Sequence, residues 1–168
     1  MQATTKIRAL ALALASAATM GSGAQAAGTV TVEFRDPASY VDIGWGSLAR
    51  ETNLRTLADH MHGWQSRLAD GQRLEIDVLD IDLAGEVNRW WRHPEVRVLT
   101  GRTDGPRMQL RWTLRSGERV VGSGQVRVSD PAYLERSGRL RSDGALAHDK
   151  RLLDDWLRQH VLVDGTPH

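Results

Sequence analysis

Arg73-Leu74-Glu75-Ile76-Asp77-Val78-Leu79-Asp80-Ile81-Asp82-Leu83 is the stretch on which the architecture turns. Leu74, Ile76 and Val78 fall on one face of an extended strand, and Glu75 and Asp77 on the other. That period of two belongs to a sheet with one covered and one open face. After Val78 the phase slips by one residue. Leu79, Ile81 and Leu83 now take the apolar role, and Asp80 and Asp82 the polar one. A β-bulge near Val78–Leu79 reconciles the halves and keeps a single apolar face.

The flanking sequence supplies the rest of a fold. Residues 29–35 alternate, with Val30, Val32 and Phe34 inward, and Asp36-Pro37 closes the strand. Gly44 and Gly46 precede Ser47, the expected N-cap of a helix over 48–69. Leu54, Leu57, Ala58, Met61, Gln65 and Leu68 form its apolar face, and Asp70-Gly71 ends it. A short strand is expected around 95–100. Residues 106–115 alternate again, with Met108, Leu110, Trp112 and Leu114 inward. Ser116-Gly117 makes a turn, and 120–129 return as the hairpin partner. Gly122 and Gly124 within that return mark a bulge, or a place where Trp112 packs over the backbone. Asp130-Pro131 opens an irregular stretch. A last helix over 146–161 buries Leu152, Leu153, Trp156, Leu157 and Val161. The order β-α-β-β-β-β-α predicts an α+β two-layer sandwich. It has a mixed sheet of four to five strands and two amphipathic helices on one face. The first β-α-β should be a parallel, right-handed crossover.

The first 26 residues read as an address rather than as structure. Lys6 and Arg8 precede an apolar run over 9–15, and Ala24-Gln25-Ala26 supplies the small residues of a cleavage site. This is the pattern of a secretory signal peptide cut between Ala26 and Ala27, with residues 27–168 as one exported, periplasmic domain. The run is far short of the ~20 residues a spanning helix needs. Removing it leaves 20 basic and 21 acidic side chains, so the basic balance of the whole 168-residue chain belongs to the leader. Residues 27–88 carry a net −6, whereas 89–141 carry a net +7 whose cations are all arginine. With no cysteine, disulfides, thiol catalysis, iron–sulfur clusters and a lipoprotein anchor are excluded. Nucleic acid is not an expected partner, because the leader takes the chain out of the cytoplasm.

Three local patterns occur together. Val32-Glu33-Phe34-Arg35-Asp36-Pro37 is followed by Tyr40 and Asp42. Val78-Leu79-Asp80-Ile81-Asp82-Leu83-Ala84-Gly85-Glu86 is the second, and Lys150-Arg151-Leu152-Leu153-Asp154-Asp155-Trp156 the third. Their order behind a signal peptide resembles the exported proteobacterial proteins grouped as domain of unknown function 3016, over nearly the whole exported chain. The resemblance implies no activity and supplies no catalytic residues.

Candidate chemistry is sparse. Asp80 and Asp82 share a strand face, and with Glu86 they are the nearest approach to an oxygen-ligand set or a carboxylate hydrolase. His60 and His62 point apart on a helix, and no zinc spacing occurs. Gly122-Ser123-Gly124 lacks the strand-to-helix turn that a nucleophile needs. Two groups suit binding. Trp90, Trp91 and Arg92 combine adjacent indoles with a cation, a pairing that stacks on sugars or grips anions. Arg107, Arg111, Arg115 and Arg127 project from the polar faces of the hairpin strands, where a guanidinium favours carboxylate or phosphate. If acidic strands lie beside them, cross-strand pairs absorb that charge. The expectation is a non-catalytic binding or accessory module of the envelope, without a cofactor. Its partner would be an envelope protein, an anionic glycan or a lipid head group. The alternatives are a hydrolase around Asp80, Asp82 and Glu86, or a homodimer formed through the open sheet face.

Overall fold

The computed structural model describes residues 27–87, 97–101, 103–135 and 144–162. The chain runs β1 (Thr29–Phe34), α1 (Gly46–His62), β2 (Gln72–Asp82), β3 (Glu86–Val87), β4 (Arg97–Val98), β5 (Arg107–Ser116), β6 (Arg119–Ser129) and α2 (Ala147–His160). The expected α+β class holds. Four strands form a mixed sheet in the order β1-β2-β5-β6, and β3 with β4 makes a separate small hairpin.

Register shows why one face is apolar. β1 runs parallel to β2, setting Val30, Val32 and Phe34 beside Leu74, Ile76 and Val78. β5 runs antiparallel on the other side, with Leu114, Trp112 and Leu110 opposite those same three residues. The pairing then jumps from Val78 to Asp80, which leaves Leu79 as the extra residue and returns Ile81 to the apolar face opposite Met108. The expected bulge is therefore present, and Ile81 and Leu83 are both buried.

Both helices cover that face. Leu57 and Met61 of α1 join Leu152, Leu153, Trp156 and Leu157 of α2 in one core with the strand residues. Trp156 is the junction. Its ring lies 6.2 Å from Trp64, just beyond α1, and 6.1 Å edge-on from Trp112 of β5. Trp112 in turn lies over the two glycines of β6. A Cβ on Gly122 would sit 3.0 Å from its ring, and one on Gly124 3.3 Å away.

The first helix departs from expectation at both ends. It starts at Gly46, with Trp45 rather than Ser47 at the N-cap and no side chain capping it. It stops at His62 instead of running to Ala69. Gly63, a poor helix former, begins a 3-10 turn over Gly63–Arg67. The tighter winding turns Trp64 inward and leaves Gln65 exposed, so the expected Gln65 position on the apolar face is taken by Trp64. Leu68, beyond the turn, is still buried. The short strand expected around 95–100 pairs as β4 with β3, outside the main sheet. Among the described residues no helix is long and apolar enough to cross a membrane.

Candidate functional site

The hairpin arginines stand in a row of alternating sign. The β2–β5 register places Asp77 opposite Arg111 and Asp82 opposite Arg107. Arg107 lies 3.5 Å from Asp82, Arg111 3.7 Å from Asp77, and Arg115 3.8 Å from Glu75. Arg35 bridges Glu33 and Asp77 at 2.6 and 2.8 Å. Arg127 makes a long bond of 3.4 Å to Gln109. Such exposed pairs each contribute little to stability, but together they offset the charge of Arg107, Arg111 and Arg115. Trp90, Trp91 and Arg92 lie outside the described residues.

Each member of the carboxylate set has its own surroundings. Asp80 accepts the Val41 and Ile81 amides. Asp82 faces Arg107, and burial raises its pKa against that cation's pull. Glu86 is exposed on the hairpin. Among the described residues no three His, Asp or Glu side chains gather as a metal would require. His60 reaches Asp154 at 3.2 Å, while His62 is exposed on the far side of the helix. Ser123 sits exposed within β6.

A different place has the shape of a site. A cleft of about 740 Å³ opens where the starts of α1 and α2 meet the β3–β4 hairpin. Three large apolar side chains on its wall are exposed: Trp45 at 58 %, Leu48 at 77 % and Leu99 at 40 %. Local sequence explains each. Trp45 stands between Gly44 and Gly46, both at positive φ, so the chain reverses there and directs it away from the core. Leu48 lies off the stripe of Leu54, Leu57 and Met61. Leu99 packs close to Gly85, whose φ of +76° brings the backbone near; a Cβ on Gly85 would lie 2.6 Å from Leu99.

The wall is held by one guanidinium. Arg97 of β4 donates through Nε to the Ala84 carbonyl at 2.7 Å, and through Nη2 to the Leu83 carbonyl at 2.9 Å and to Asp42 at 2.8 Å. It also reaches the Gly85 carbonyl. One side chain thus ties the loop before α1, the end of β2 and the hairpin together. From the other side the buried Asp149 of α2 accepts the Ala84 amide at 3.0 Å. Burial pushes the Asp149 carboxyl up to about 6, although that amide and Arg97 pull the other way. Burial, with Arg151 nearby, lowers His148 next to it, whose ring stands edge-on to Tyr133. The base of the cleft is a setting that penalises charge.

Sequence reasoning missed Trp45, Leu48, Arg97, Leu99 and Asp149. The available signals were slight: a tryptophan between two glycines and a leucine off the helical stripe. The first two motifs noted in the sequence do meet here, since Asp42 and residues 83–85 surround the Arg97 guanidinium. The third motif follows directly after Asp149, and its Asp154 accepts the Trp64 indole N–H at 2.8 Å. A family model described as Protein of unknown function (DUF3016) matches residues 28–159. No curated protein and no solved structure matches the chain.

Proposed function

Because the chain belongs to the DUF3016 family, whose description assigns no activity, we propose a function from its own geometry. It is a non-catalytic binding module of the cell envelope. Its cleft holds a small, uncharged, largely apolar molecule. The observation that carries this reading is the exposure of Trp45, Leu48 and Leu99 around one cavity. Large apolar side chains held in water around a concave surface are the mark of a binding site. The volume of about 740 Å³ falls within the range of small-molecule pockets. The predominance of apolar side chains on the lining argues for a largely apolar occupant. Export rests on the leader-like residues 1–26. In this reading the arginine row steadies the sheet, and the cleft makes the contact.

An uncharged solvatochromic dye such as Nile red tests the proposal. One dye per chain should bind, with a blue-shifted emission. Trp45→Ala combined with Leu48→Ser should weaken binding by about tenfold or more, because ~1.4 kcal/mol of lost apolar contact already gives that factor. Both side chains are exposed, so folding should be unchanged. Equal affinity of the double variant and the native chain would sink the reading.

A further inference from the structure

Among the described residues β6 ends the sheet with β5 as its single neighbour, so its outer row of N–H and C=O groups faces away from the sheet. Over residues 122–129 it pairs regularly with 114–107, and its register shift leaves Val121 as an extra residue at the hairpin end. Natural edges are blunted by proline, charged side chains, short length or bulges along the strand. β6 has no proline, runs for 11 residues and carries charge only at Arg119 and Arg127, which leaves 120–126 without any. Its only bulge lies outside the regular stretch. Val120 and Val121 are 47 % and 39 % exposed.

We infer that β6 pairs antiparallel with β6 of a second copy of this chain, about a two-fold axis through Gln125, joining the two sheets into one of eight strands. Directly opposite residues of an antiparallel pair face the same side. A symmetric pairing must therefore place some residue opposite its own copy. With Gln125 on the axis, Gly124 meets the partner's Val126 and Gly122 meets the partner's Val128 on the helix side. Glycine has no Cβ and the Trp112 ring already lies over both glycines, so each partner valine faces a residue without a side chain of its own. On the open side Ser123 meets the partner's Arg127, and Gln125 meets the partner's Gln125. No arginine opposes another, and large faces small along the seam. This complementarity is of β6 with itself, which singles out a second copy over an unrelated extended peptide. From Ala27 onward the chain carries a net charge of only −1, so self-repulsion is slight. No β6 residue lines the cleft, so this inference stands apart from the ligand proposal.

The absence of cysteine gives a register-specific test. Opposing Cα atoms about 4.5–5.5 Å apart fall in the range a disulfide spans. On mild oxidation Gln125→Cys should therefore cross-link two copies. Glu118→Cys, exposed at the hairpin tip, should react more than about tenfold more slowly, since it lacks the effective concentration of a paired position. The native protein, purified as an exporting host processes it, should sediment at twice its monomer mass at micromolar concentration. Ser123→Lys with Gln125→Lys puts like charges across the seam at two exposed positions, so it should be monomeric with an unchanged circular dichroism spectrum. A native monomer at every concentration would overturn the inference, as would equal cross-linking of the two cysteine variants or an unaffected dimer in the lysine pair.

Discussion

Asp149 is 2 % exposed at the first turn of α2, and its ionisation is linked to folding. Its carboxyl titrates at about 6 in the folded chain against an ordinary 3.8, so the folded state binds the extra proton between those values. The sign follows. Its contribution is greatest below pH 4 and falls away as pH rises through 6, by about 3 kcal/mol for a gap of this size. Asp149→Asn keeps an oxygen for the Ala84 amide and removes the buried charge. It should unfold at higher urea than the native chain at pH 8, by about 1–3 kcal/mol, and match it near pH 4. A native-like slope between pH 4 and 8 in the variant would show that another group carries the dependence. At this scale the sequence is nearly silent. Asp149 reads as one more acid at a helix start, and Arg97 as one of twelve arginines in the middle of the chain. Their partners lie far along it: Asp42 is 55 residues from Arg97, and Ala84 is 65 from Asp149.

Among the elements, β2 and the β5–β6 hairpin were legible because their information is local. A strand declares its faces by period two, and the slip at Leu79 has one remedy that keeps the apolar side continuous. The pairing of Gly122 and Gly124 with Trp112 could be read for the same reason, since a hairpin sets the register of its arms. That contact carries a prediction. Trp112 is wedged against Trp156, so the methyl of Gly122→Ala would press on a ring with little room to yield. The variant should lose about 1–2 kcal/mol in urea titration and change its near-ultraviolet tryptophan spectrum, whereas Ser123→Ala should stay within about 0.5 kcal/mol. No difference between the two would mean that the ring moves freely. The first helix was read less well. Periodicity alone continues through Gly63, and what breaks it is the demand that Trp64 reach the ring of Trp156 from α2.

For the whole molecule, the layer of two helices on a four-stranded sheet turns the apolar faces inward, and among the described residues the large exposed apolar side chains are Val41, those of the cleft wall and the two valines at the hairpin end of β6. The proposed function uses the cleft wall, and the proposed dimer uses the β6 edge over residues 122–128, so the two are separate. A dimer lacking dye binding and a dye-binding monomer are both interpretable results. The proposed envelope location has its own check. Cell fractionation with N-terminal sequencing should recover a chain beginning at Ala27 outside the cytoplasm. A cytoplasmic chain that retains Met1 would remove the envelope setting and leave the cleft reading standing.

The linear sequence determined the class of fold, the faces of the strands, the bulge, the buried side of α2 and the resemblance of its three motifs to a family. Each of these depends on residues within a few positions of one another, where backbone geometry translates spacing into direction. Tertiary structure alone decided that Arg107, Arg111 and Arg115 are met by carboxylates, that Asp80, Asp82 and Glu86 do not gather into one metal-binding set, and that two helix starts and a hairpin enclose a cleft. Those outcomes depend on which strand lies beside which and on contacts across more than fifty residues. Spacing along a chain carries no record of them. The basic balance of the full chain is compositional, lying in Lys6 and Arg8 of the first 26 residues, while the Arg97 clamp exists only once the chain has folded.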